Sequence, residues 1–156
     1  MNFTIPKTLR REHEALHGQL RQATLAGGEV GTAAEALARL MHPHFVKEDQ
    51  IALPPLGLLV ELANGRFSPE MSRVLELTDK LEAELPQMLA EHRDIVTALH
   101  RLRDAAERAG RADIVGFAAA LIEHATTEEE VMYPAAVLVG RVVRQHLAAS
   151  AGTAAR

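Results

Sequence analysis

The chain has 156 residues, a formal charge of −4, 47% apolar and 3% aromatic residues, eight histidines and no cysteine. That length suits one domain with a proper core, the Ala- and Leu-rich mixture favours helix over sheet, and the missing thiols exclude disulfides, thiolate zinc sites, iron–sulfur clusters and cysteine nucleophiles. The mildly acidic, interleaved charge leaves no basic footprint for nucleic acid, Met1 to Arg11 lacks the apolar stretch of a signal peptide, and no apolar run nears the roughly 20 residues of a membrane span.

In chain order, the first helix is expected to start near Pro6, to carry Leu9, His13, Leu16 and Leu20 on one stripe, and to stop at Gly27-Gly28. The second follows Thr32 as N-cap, places Leu37, Met41, His44, Glu48 and Ile51 on its core face, and ends at Pro54-Pro55. Leu56 to Phe67 reads as an apolar connection across one end of the bundle, holding at most a short helix. Ser68-Pro69 reads as N-cap and first helical position of the third helix, which runs to Gly110 with a kink or break near Pro86. Its stripe is Leu85, Leu89, His92, Ile95, Leu99 and Leu102. Asp113 opens the fourth helix, with Phe117, Leu121, His124, Glu128 and Val131 inward. Pro134 is expected to bend it on its way to His146, and Ser150 to Arg156 to form a frayed tail. Four such helices imply an all-α, antiparallel up-down-up-down four-helix bundle, with a core from about residue 6 to 147.

The two hairpins echo each other at an offset of about 80 residues, a twofold pseudo-repeat. Glu12-His13-x-x-Leu16 returns as Glu91-His92-x-x-Ile95, and His44-x-x-x-Glu48-x-x-Ile51-x-Leu53-Pro54 returns as His124-x-x-x-Glu128-x-x-Val131-x-Tyr133-Pro134. Counted from the hairpin turns at about 1.5 Å per residue, the histidines and glutamates of antiparallel partners come level to within about 3 Å. Six ionisable groups, His13, His44, Glu48, His92, His124 and Glu128, therefore converge at mid-bundle. Left bare, each buried carboxylate would cost several kcal/mol or shift its pKa strongly. Two metal ions remove that cost: four imidazoles and two bridging carboxylates supply about eight of the twelve positions of two octahedral ions. Imidazole with carboxylate suits iron or, less well, manganese, whereas one zinc ion needs only about four ligands.

These residues resemble the H…HxxxE…H…HxxxE pattern of the hemerythrin-like, or HHE cation-binding, domains, from about Leu9 to Pro134. The resemblance implies two iron ions joined by an oxo or hydroxo bridge. It also implies that a small ligand (dioxygen, nitric oxide or peroxide) is bound or sensed at an open position. An enzyme that decomposes peroxide, oxidises ferrous iron or handles nitric oxide is the other class, with iron storage or delivery a third. Ferritin-like proteins instead use paired ExxH motifs, and no such pair lies on these stripes. Oxygen-carrying hemerythrins have a second histidine one turn further along the third helix, where this chain has Val96. Pro43 is expected to disturb the helix just ahead of His44.

His17, one turn after His13, is an extra or alternative ligand, and Glu129, directly after Glu128, could take over its bridging role. Glu12, Glu91, Asp49, Glu130, His42, His100 and His146 read first as surface groups, with support of the ligand histidines the alternative for Glu12 and Glu91, and Tyr133 reads as packing at the bundle end, with redox chemistry near iron as its alternative. The remaining expectations are a cytoplasmic monomer or homodimer, with no nucleic-acid or membrane partner.

Overall fold

A computed structural model describes residues 3–154, with side chains to 152. The architecture is an all-α four-helix bundle. Helix α1 (Lys7–Thr24) and α2 (Gly28–Lys47) form the first hairpin. Helix α4 (Val74–Arg108) and α5 (Ala112–Thr127) form the second. Between them a 3-10 turn (Pro54–Leu58), the short α3 (Leu59–Ala63) and a second 3-10 turn (Pro69–Arg73) carry the chain across one end. Beyond α5, a single π-turn (Glu128–Met132) passes straight into α6 (Tyr133–Ala154).

Both hairpin turns rest on left-handed glycines, Gly27 and Gly28 at φ 71° and 56° and Gly110 at φ 67°, a conformation that a Cβ makes costly. The α2 start therefore lies at Gly28 rather than after Thr32. Thr32 sits one turn inside, and its hydroxyl donates back to the Gly28 carbonyl at 3.1 Å. Ser68 heads a 3-10 turn and gives no side-chain cap there. Pro86 neither ends nor breaks α4, which runs as one helix of 35 residues, about 52 Å long. Pro43 is likewise accommodated inside α2, although it offers no N–H to the Arg39 carbonyl. Pro134 follows the π-turn as the second residue of α6, which continues as helix to Ala154. Of the tail from Ser150, residues 155 and 156 lie outside the described residues.

A second π-turn (Glu48–Ala52) mirrors the one at Glu128. In each, the N–H five residues on, that of Leu53 or Tyr133, donates to the glutamate carbonyl. The extra residue alters the face that follows. Met132 and Tyr133 are buried, whereas Val131, which a regular helix would turn inward, is 58% exposed.

The core forms in layers. Leu16, Leu20, Leu37, Met41, Leu99, Leu102, Phe117 and Leu121 fill the end near the hairpin turns. Ile51, Leu53, Leu81, Met88, Met132 and Tyr133 fill the next layer. Leu58, Met71, Val74, Val139 and Val143 pack α6 and α4 against the crossover. The six polar residues lie between the first two layers. Ahead of His92 the inward face of α4 is Val74, Thr78, Leu81 and Met88, with Leu85 and Leu89 half-buried beside it.

Where α6 crosses α4, Gly140 lies so close to Thr78 that an added Cβ would run into the Thr78 side chain. Thr78 is itself buried and donates its hydroxyl to Leu75 O at 3.3 Å. Gly140→Ala is expected to destabilise the protein by about 1–3 kcal/mol through overpacking. Gly18→Ala, with open space around the new Cβ, should be neutral or stabilising. Chemical denaturation of the two variants checks this, and equal stability would mean the α4–α6 contact is slack.

Candidate metal centre

Helices α1, α2, α4 and α5 each send one histidine inward at the same level, and the two π-turns each begin with a glutamate. His13, His44, His92, His124, Glu48 and Glu128 are all buried, none more than 6% exposed. Their ligating atoms fall into two groups that share Glu128. One comprises His44, Glu48, His92 and Glu128, the other His13, His124 and Glu128, with the atoms of each group within 4.8 Å of one another.

The carboxylates face both groups. Glu128 Oε1 lies 2.8 Å from His124 Nε2 and 3.3 Å from His13 Nε2, while its Oε2 lies 3.3 Å from His92 Nε2. Glu48 Oε1 lies 3.3 Å from His44 Nε2, and its Oε2 is 3.9 Å from His13 Nε2. That Oε2 is buried with no hydrogen-bond partner. An orphaned, fully buried carboxylate oxygen is costly by itself, and it fits a cation as its missing partner. The cluster can hold two metal ions.

Outside the cluster, a second set of carboxylates takes the far nitrogens of the imidazoles. His44 Nδ1–H donates to Glu91 Oε2 at 2.8 Å, His92 Nδ1–H to Glu129 Oε1 at 2.9 Å, and His124 Nδ1–H to Glu12 Oε1 at 3.1 Å. Lys47 holds Glu91 from the other side at 2.6 Å. This fixes the tautomer that turns the Nε2 lone pair inward and raises its basicity. The fourth partner, Asp49 Oδ1, stops 3.7 Å short of His13 Nδ1, beyond hydrogen-bond reach. An aspartate is one methylene shorter than the glutamate at the equivalent place, Glu129.

Glu12, half-exposed, and Glu91, more nearly covered, are therefore more than surface charges, since each holds an imidazole, and Glu129 supports His92. The signal was present in the repeat: Glu-His at 12–13 and 91–92, and an acid directly after each core glutamate at 49 and 129. Tyr133 is not end packing either. It is 1% exposed, and its hydroxyl donates to Glu48 Oε1 at 2.5 Å, with His92 Nε2 at 3.1 Å and His44 Nε2 at 3.4 Å. His17 joins neither group. Its ring lies tilted by 38° against that of Phe45, centroids 3.9 Å apart, at a cavity between α1 and α2 also lined by Arg21 and His42. His42, His100, His146 and Glu130 are exposed.

Burial opposes charge on His44 and His124, but hydrogen bonds and charge from Glu48 and Glu128 outweigh it, raising His44 to about 8 and His124 to about 9. Glu128 is also opposed by burial, yet the hydrogen bonds from His124, His13 and His92 hold it well below the usual carboxylate range. Burial, then the charge of Glu128, pushes Glu48 up. Tyr133 is raised by burial and the charges of Glu48 and Glu128.

A four-helix bundle with a buried histidine–glutamate cluster of this kind is a metal-binding bundle. The profile described as the Hemerythrin HHE cation binding domain matches residues 4–136, and again 83–152. The chain belongs to that family. Comparison with curated proteins and with solved structures gave no match. No helix among the described residues is long and apolar enough to cross a membrane.

Two measurements follow from this geometry. Glu91→Ala, which frees His44 Nδ1, is expected to weaken metal binding about 10–100-fold, while Asp49→Glu should strengthen it by closing the gap to His13. Competition titration with a chelator reads both, and unchanged affinity in Glu91→Ala would remove its supporting role. The second concerns pH. Raised folded-state pKa values stabilise the metal-free protein fully below about pH 6.5, and that contribution is lost as pH rises through 8 and 9. Metal needs the neutral imidazoles, so metal affinity should rise over the same window. Thermal unfolding between pH 6 and 9 should show metal-free stability falling and metal-conferred stabilisation growing. Parallel trends for the two forms would contradict this.

Proposed function

We propose that the chain is a di-iron protein with His13, His44, His92, His124, Glu48 and Glu128 as ligands, and that it binds or senses dioxygen, nitric oxide or peroxide. The observation that carries this reading is the orientation of the two carboxylates. Each turns one oxygen towards the His44–His92 pair and the other towards the His13–His124 pair. Paired carboxylates between paired imidazoles support a dinuclear centre over two separate ions, and four imidazoles favour iron over manganese.

The bound metals would supply the redox chemistry and the open coordination position. The chain's own residues do the rest. Glu12, Glu91 and Glu129 aim three of the imidazoles, and Glu48 and Glu128 bring opposing charge to one point. Phe45, Ile95 and Leu121 are buried in the apolar layer beside the cluster and help exclude water from it. A buried site walled by apolar side chains suits a diatomic or peroxide better than an organic substrate.

Loading with ferrous iron under anaerobic conditions, followed by elemental analysis, is expected to give about two irons per chain. His44→Ala and Glu128→Ala should each lose most of that metal. Admitting air should change the near-ultraviolet spectrum. Reversal on degassing supports carriage or sensing, whereas irreversible oxidation with peroxide turnover would assign the centre to an enzyme instead. Less than one metal per chain, with stability unchanged in the two variants, would sink the di-iron reading.

A further inference from the structure

Tyr133 is the residue whose position the six-ligand description leaves unexplained. Its hydroxyl oxygen is surrounded by three ligand atoms: Glu48 Oε1 at 2.5 Å, His92 Nε2 at 3.1 Å and His44 Nε2 at 3.4 Å. Hydrogen bonding alone does not satisfy this arrangement once both imidazoles are neutral. Glu91 and Glu129 hold the Nδ1–H of both imidazoles, so in the neutral form that metal binding requires, both Nε2 atoms point lone pairs inward. The hydroxyl then has one proton for three acceptors.

A cation among these atoms resolves the conflict. Two ligand atoms each about 2.1 Å from one ion and at right angles about it lie about 3.0 Å apart. The His44 Nε2–Glu48 Oε1 and His92 Nε2–Glu128 Oε2 separations, both 3.3 Å, have this spacing. The three distances from the Tyr133 oxygen fall around the same value. The Tyr133 oxygen thus stands where a further ligand would stand to an ion held by His44, His92, Glu48 and Glu128.

We propose that Tyr133 is a seventh protein ligand, coordinating through its phenolic oxygen the ion held by His44 and His92. The inference rests on the di-iron reading. On binding, the O–H bond breaks, a metal–oxygen bond forms and the proton leaves to solvent, with no change of oxidation state. The His44–His92 ion then has five protein ligands, and the His13–His124 ion four, with Glu48 and Glu128 counted for both. The more open position therefore lies on the His13–His124 side, beside Phe45, whose ring centroid is 5.2 Å from that of His13.

Tyr133 is the only tyrosine in the chain, so a tyrosinate signal identifies it without a variant. Ferric-loaded protein is expected to show a visible phenolate-to-iron charge-transfer band. Resonance Raman excitation within it should reveal tyrosinate ring modes that shift in protein grown on ring-deuterated tyrosine. Tyr133→Phe should lose band and ring modes while keeping about two irons per chain. Two irons per chain with no tyrosinate modes would overturn the proposal and leave the di-iron reading standing, with Tyr133 only a hydrogen-bond donor to Glu48. Less than one iron per chain would defeat both together.

Discussion

Burying Glu48 beside Glu128 obliges the bundle to supply positive charge between them. Neither carboxylate reaches water, and the two share one layer of the core with four imidazoles. In the metal-free chain, charge on His44 and His124 answers part of that demand, yet one Glu48 oxygen still has no partner. The apolar layers above and below make the demand severe, because they lower the local dielectric and keep water from relieving it. The same layers hold the histidines level, so the cost of the site and its geometry have a common origin.

The internal repeat distributes the work crosswise. Each Glu-His pair gives its histidine to the cluster and its acid to an imidazole on a neighbouring helix: Glu12 of α1 supports His124 of α5, and Glu91 of α4 supports His44 of α2. Neighbouring helices are thus tied by charge-assisted hydrogen bonds around a centre whose ligands come from both hairpins. The two halves are not equivalent. Asp49 falls short where Glu129 reaches, and Tyr133 has Leu53 at the matching place in the first half. Both differences leave the His13–His124 side less completely furnished.

Much of this was legible in the sequence because one periodicity governs it. Steps of three and four placed Leu37, Met41, His44 and Glu48 on one face of α2, and Phe117, Leu121, His124 and Glu128 on one face of α5, and these residues are buried. That reasoning failed where the period changes. Val131 was expected inside because the count assumed a regular helix through Glu128, and the π-turn shifts everything after it by one residue. The same shift brings Tyr133 inward. Thr32 misled because a left-handed glycine turn starts α2 earlier than a side-chain cap would. Glu12 and Glu91 look like surface residues by composition, and only the partner helix, which no local pattern describes, shows what they hold.

The two π-turns make the core glutamates rotary joints in otherwise continuous rods. An α-helix advances about 100° per residue, so an inserted residue absorbed as a π-turn resets the phase of everything downstream without moving what lies upstream. In the second rod, the face of α5 that carries Phe117, Leu121 and His124 and the face of α6 that carries Ala136, Val139 and Val143 therefore follow separate registers, joined at Glu128. Deleting one residue between 129 and 132 would restore a single register and swing Tyr133 and the whole inner face of α6 out of alignment. The spacing between Glu128 and Pro134 is thus constrained by the angular bookkeeping of the rod, independently of which side chains occupy it.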